Sequence, residues 1–188
     1  MPKSVRYAAV RRPGHRLARP QGSAVPADPT NDRTADRLDV IELLARYHQA
    51  VDAKDWATLG SLFTADVVAE YRGLDTTRDL FGLDGRIEGR DAVVAWITEG
   101  QAPFRYDGAP THFMTNHVLH FTDGDDDRVR SRSSFFDLDM ETGSLFGSGI
   151  YTVDHVRTPE GWRIAVLVLE QRLCDNALER ILAQREKR

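Results

Sequence analysis

The hydrophobic pattern is helical where the chain first looks foldable. Leu38, Ile41, Leu44, Ala45, His48 and Val51 recur every three or four residues, which predicts an amphipathic helix over Leu38–Val51. Ala53-Lys54 breaks that period. Asp55 is a good N-cap for a second short helix, Trp56–Phe63, carried by Trp56, Leu59, Leu62 and Phe63. Thr64-Ala65-Asp66 then turns the chain into a strand, Val67–Tyr71, of β-branched and aromatic character. Residues 72–89 are rich in Gly and Asp and read as a long loop with a short strand near Arg86-Ile87-Glu88. Ala92, Val93, Val94, Trp96 and Ile97 predict a third helix, Asp91–Thr98.

Beyond this point the period shortens to two. Thr111–Phe121, Val129–Asp139, Gly147–Arg157 and Trp162–Leu173 read as four long strands. An acidic turn, residues 123–127, joins the first two, and Thr158-Pro159-Glu160-Gly161 joins the last two. A final helix is expected over Asp175–Gln184, followed by a charged tail. Helices segregated from strands argue for the α+β class over an alternating α/β fold. The expected architecture is a cone-shaped α+β barrel: a strongly bent, mostly antiparallel sheet wrapped on the N-terminal helices and enclosing a pocket.

Composition narrows the picture. In 188 residues, 41% are apolar, enough for one core and too few for two comfortable domains. The longest apolar run, Ile164–Leu169, is far short of the roughly twenty residues a membrane span needs. A net charge of −4 argues against nucleic acid as a partner. The single cysteine, Cys174, excludes an intrachain disulfide, and a cytoplasmic location is the simplest expectation. Residues 1–37 hold eight Lys or Arg, three Asp and five of the eight prolines, without a hydrophobic period, and read as a disordered basic tail. The domain proper is then expected over 38–175, with 176–188 as C-terminal helix and tail.

Strand alternation sorts the polar groups by face. His112, Met114, Asn116, Val118 and His120 share one face of their strand, and His117 falls on the other. Trp162, Ile164, Val166, Val168, Glu170 and Arg172 share a face of the last strand. A mostly apolar face with a few polar groups suits a small-molecule cavity, so Met114, Asn116, Trp162 and Val166 are candidate substrate contacts. Asp52 leaves the first helix one turn after His48 and in reach of a sheet histidine. A carboxylate that orients a histidine is an acid/base device. The same spacing also fits an Asp52 that solvates the helix end and a His112 satisfied in the core. The histidines lack the arrangement for a shared metal, the acidic turn lacks the spacing of a calcium loop, and no Gly-rich phosphate loop is present.

The run Ile41-Glu42-Leu43-Leu44-Ala45-Arg46-Tyr47-His48-Gln49-Ala50-Val51-Asp52-Ala53-Lys54-Asp55-Trp56, continued by Leu62-Phe63-Thr64-Ala65-Asp66-Val67, resembles the opening of SnoaL-like proteins of the nuclear-transport-factor-2-like superfamily. Thr111-His112-Phe113-Met114-Thr115-Asn116 and Glu160-Gly161-Trp162-Arg163-Ile164 resemble its central and final strands. Within it the motifs are similar to the branch of scytalone dehydratase, bile-acid 7α-dehydratase and hexachlorocyclohexane dehydrochlorinase. That resemblance implies an Asp–His pair at Asp52 and His112, tyrosines at Tyr47 and Tyr71, and an arginine at Arg172. A second histidine that scytalone dehydratase carries on a middle strand has no counterpart in Val129–Asp139.

The resemblance thus implies a cofactor-free lyase or isomerase, dehydratase-like or polyketide-cyclase-like, acting on a small organic substrate. In it, His112 takes a proton from carbon, and Tyr47 or Tyr71 hydrogen-bonds the developing oxyanion or assists departure of a leaving hydroxyl, with Asn116 orienting the substrate. It also implies a homodimer paired through the outer sheet face. Two rivals use the same fold: a noncatalytic small-molecule-binding module, and the small structural subunit of a ring-hydroxylating dioxygenase.

Overall fold

Helix α1 spans Thr34–Asp52 and buries Val40, Leu43, Leu44, Tyr47, His48, Ala50 and Val51 along one stripe. It starts four residues before the apolar period does. Its first turn is held by polar contacts: Asp36 suits the positive helix N-terminus and pairs with Arg157. The coordinates are a computed structural model and describe residues 33–73, 84–101, 110–140 and 143–174. Of the disordered tail expected over residues 1–37, Thr34–Arg37 already belong to α1; its residues 1–32, and the helix expected from Asp175, lie outside the described residues. So does the middle of the 72–89 loop.

Asp55 caps helix α2 (Trp56–Ser61) as its position predicts, its Oδ1 accepting the Thr58 backbone N–H at 3.0 Å. Helix α2 ends before Phe63, which opens strand β1 (Phe63–Arg72) instead. Phe63 pairs with Ile164, and regular pairing resumes at Val68, so the predicted turn at residues 64–66 is an irregularity inside a strand. Strand β2 (Asp84–Glu88) pairs with β1, and helix α3 (Arg90–Gln101) follows. Then come β3 (Pro110–Thr122), β4 (Asp125–Asp139), β5 (Leu145–Thr158) and β6 (Gly161–Cys174).

The six strands form one mixed sheet in the order β2-β1-β6-β5-β4-β3. All neighbours are antiparallel except β1 and β6, which run parallel. The class is α+β as expected. The sheet is open, with β2 and β3 as its edges, where the sequence suggested a barrel. Helix α1 crosses its inner face, and the core lies between them, centred on Leu44, Leu59, Leu62, Val67, Ile164 and Leu167. No helix among the described residues is long and apolar enough to cross a membrane.

Two irregularities change which side chains face inward. In β3, Thr115 pairs with Ser134 but Val118 pairs with Arg132, so three steps on β3 match two on β4. Asn116 takes a left-handed backbone there, φ 55°. His112 and Met114 before this bulge therefore share the inner face with His117, Leu119 and Phe121 after it. Phe113, Thr115, Val118 and His120 are exposed. In β6, Ile164 pairs with His155 and Val166 with Asp154, which inserts one residue. Trp162 and Ile164 are inward with Leu167 and Leu169, and the alternation read through the whole strand is corrected.

Candidate active site

The C-terminus of α1 is brought against the start of β3. There Asp52 Oδ1 lies 2.5 Å from His112 Nδ1, and its Oδ2 accepts the His112 backbone N–H at 3.2 Å. Held at two points, the imidazole donates from Nδ1 and leaves Nε2 as its free nitrogen. A carboxylate at a helix C-terminus opposes the helix's own negative pole, and the last turn of α1 holds no basic residue to offset it. Its compensation comes from His112.

On the neighbouring strand, the residue directly opposite His112 is Asp137. His112 Nε2 points at Asp137 Oδ1 across 3.8 Å, too far for a hydrogen bond. Asp137 Oδ1 is buried and has no hydrogen-bond partner among the described residues. Burial pushes the Asp137 carboxyl up to about 6; the His112 charge pulls it down and the Asp52 charge adds to the rise. For His112, burial acts downward, but the Asp52 hydrogen bond and the charges of Asp137 and Asp52 outweigh it and leave the pKa raised.

His48 stacks on His112 with ring centroids 5.1 Å apart and planes 21° apart. It is buried with neither ring nitrogen bonded among the described residues. Burial, then the neighbouring His112 and His117, hold its pKa well below the usual value, so it is a neutral plate against the reactive ring. Tyr47 and Tyr151 meet edge to face at 6.1 Å, and Tyr151 meets Phe135 in the same way at 5.0 Å. Tyr71 stacks on Trp96 at 4.0 Å, and its buried hydroxyl lies beside that of Tyr47. Burial raises the pKa of all three tyrosines, so their hydroxyls stay protonated as donors.

Asp52, His112, Tyr47 and Tyr71 thus all lie on the inner side, and Met114 packs half-buried against the core two residues beyond His112. Four expected contacts do not join them. Asn116 is the exposed residue of the β3 bulge, turned away by its left-handed backbone. Val166 lies on the outer face because of the extra residue in β6, and Arg172, exposed, is the unpaired residue of a second irregularity between Gln171 and Leu173. Trp162 is buried, but at the other end of α1: its Nε1–H donates to Asp36 Oδ1 at 3.4 Å, and Arg157 covers its ring at 4.4 Å. The sixteen residues from Asp36 to Asp52 put it about 24 Å from the pair along the helix.

His117, expected on the opposite face from His112, is inward and bonds Ser133 Oγ through Nδ1 at 2.8 Å. No cluster among the described residues is suited to a metal ion. An open depression of about 220 Å³, lined by Asp39, Glu42, Arg46, Glu160 and Trp162 among others, lies toward the Trp162 end, away from the pair.

Sequence reasoning missed Asp137, Tyr151 and the stacking role of His48. The inward set Ser131, Ser133, Phe135, Asp137 was visible as an alternation, but its pairing with β3 was not.

A SnoaL-like domain profile matches residues 32–168. An uncharacterized protein of Mycobacterium tuberculosis is 31% identical over 134 residues, covering 69% of this chain and 81% of that protein. Among solved structures, the type-3 hexachlorocyclohexane dehydrochlorinase of Novosphingobium barchaimii superposes with a TM-score of 0.59 at 18% identity, over 77% of this chain and 91% of that one. A candidate scytalone dehydratase of Novosphingobium aromaticivorans gives 0.58 at 17% identity, over 76% and 88%. At such identities the likeness is one of fold.

Proposed function

The chain belongs to the SnoaL-like family of the nuclear-transport-factor-2-like superfamily, and from that premise we propose that it is a small-molecule lyase or isomerase working by acid/base chemistry from side chains alone. The observation that carries this reading is the grip of Asp52 on His112. It leaves one imidazole nitrogen free on the buried side of the sheet, facing Asp137, whose charge reaches the Tyr47 and Tyr151 hydroxyls.

His112 Nε2 takes a proton from a carbon made acidic by a neighbouring carbonyl. Asp52 stabilises the imidazolium that forms, and the raised His112 pKa reflects that stabilisation. Negative charge develops on the carbonyl oxygen, where the neighbouring Tyr71 and Tyr47 hydroxyls are the donors. The dehydrochlorinase and candidate dehydratase of the same fold fit this class of reaction. Three ionisable groups packed together with pKa values shifted first by burial and then by one another favour a reaction site over a module that binds without turnover.

The test is hydrogen–deuterium exchange at the carbon next to the carbonyl of cyclohexanone, followed by NMR in D2O. His112→Ala and Asp52→Asn are each expected to slow catalysed exchange by about 10²–10⁴-fold with the fold intact by circular dichroism. Exchange unchanged in both variants overturns the reading.

A further inference from the structure

We propose that Asp137 is the catalytic acid of this site: its carboxyl protonates a hydroxyl group departing from the carbon adjacent to the one His112 deprotonates. The substrate is then a β-hydroxy carbonyl compound and the reaction is loss of water. This rests on the proton-abstraction reading above and adds a residue and a bond cleavage to it.

The placement of Asp137 is the first argument. It is cross-strand partner to His112 on the inner face, with Oδ1 aimed at Nε2 across 3.8 Å. A base and an acid so close address adjacent atoms of one substrate. The second argument is what Asp137 lacks. Among the described residues its ion-pair neighbour is His112, and its Oδ1 is buried without a hydrogen bond. A structural buried carboxylate is held by donors on both oxygens. This one keeps an oxygen open toward the reactive nitrogen. Its elevated pKa, about 6, agrees with a group that carries a proton part of the time. The groups facing it are Tyr47 and Asp52 from α1, His112 from β3, Tyr151 from β5 and, at one remove, His48 through His112 and Tyr71 through Tyr47.

The step balances without any further reactant. His112 Nε2 accepts the proton from the carbon beside the carbonyl, and the C–H electron pair becomes the new carbon–carbon double bond. The C–O bond breaks with its electrons going to oxygen, and the Asp137 proton completes a molecule of water. The enzyme is left as imidazolium and carboxylate, and transfer of one proton from Nε2 to Oδ1 restores it. A substrate that displaces water from the pair favours the starting form, imidazole with carboxylic acid, because burial disfavours the charged one.

The test compares two leaving groups in Asp137→Asn. The probes are 3-hydroxycyclohexanone, whose hydroxide needs a proton to depart, and 3-acetoxycyclohexanone, whose acetate does not. Both give the same enone, read by its absorbance. The variant is expected to lose about 100-fold or more on the hydroxy compound and to stay within about threefold of wild type on the acetate. Retained acetate elimination also reports that the site has folded. Equal losses on both probes, or no loss on either, overturn the proposal, as does a wild-type protein that exchanges cyclohexanone protons but does not dehydrate 3-hydroxycyclohexanone. Acetate elimination and exchange that survive His112→Ala instead sink the underlying reading.

Discussion

Asp137 and His155 are buried ionisable groups whose effects on stability have opposite signs. Asp137 has a folded pKa of about 6 against 3.8 unfolded, so the folded state binds the proton more tightly. Its contribution is fully present below the unfolded value and is lost as pH rises through 6. Asp137→Asn removes that loss and is expected to stabilise the protein at pH 7.5 by up to about 3 kcal/mol, a gain that shrinks toward pH 4. Urea unfolding at the two pH values checks it, and a destabilised variant at pH 7.5 contradicts it. His155 is buried, its Nε2 is 2.8 Å from Ser131 Oγ, and burial depresses its pKa to about 4. Its stabilising contribution holds above the unfolded pKa of 6.5 and drains away as pH falls through 4. An NMR titration should place its midpoint below 5; one above 6 counts against the burial argument. Residue type and position along an element made Asp52 and His112 candidates, and the resemblance to SnoaL-like proteins singled them out as a pair. Asp137 was not among them, because its importance comes from a partner on another strand.

Among the elements, β3 shows where pattern reading stops. Alternation placed its residues correctly up to Thr115 and on the wrong face afterward, because a bulge leaves almost no mark in the apolar pattern. Asn116 is the sole cue, as a residue that tolerates φ 55° better than most. Asn116→Val is expected to cost about 1–2 kcal/mol in unfolding free energy, and Asn116→Gly close to nothing. A second offset in the β3–β4 pairing, between Phe121 and Thr122, acted with the bulge to hide Asp137. The turn at Asp123-Gly124 pairs Thr122 with Asp125, and a regular hairpin continued from it sets His112 opposite Phe135. The offsets along β3 move the partner to Asp137. A further constraint sits at Gly149 of β5, where an added Cβ meets Glu170 O at 2.2 Å and Phe135 Cε1 at 2.6 Å. Gly149→Ala therefore pushes β5 from β6 and drives the Phe135 ring toward Tyr151, and it should lower both the melting temperature and the exchange rate.

At the scale of the molecule, α1 is pinned at two ends with different purposes. At one end Asp36, Arg157 and Trp162 form a contact of ion pair and ring; at the other Asp52 holds His112. Arg157→Ala should cost about 1 kcal/mol of stability and leave cyclohexanone exchange unchanged, since the two ends lie about 24 Å apart. An equal fall in exchange would show that the whole helix must be clamped for the pair to form. The helix–strand order and the α+β class were readable in the chain because each rests on local periodicity. The parallel pairing of β1 with β6 was not, since no local signal links segments so far apart in sequence. That pairing bears on how the protein is made. On the ribosome, β1 emerges with one edge unfilled and stays so while about ninety further residues are synthesised, until Gly161 and its successors arrive. Nascent chains halted within that interval should therefore be sticky and protease-sensitive, and resistance should appear abruptly once the β6 segment clears the exit tunnel.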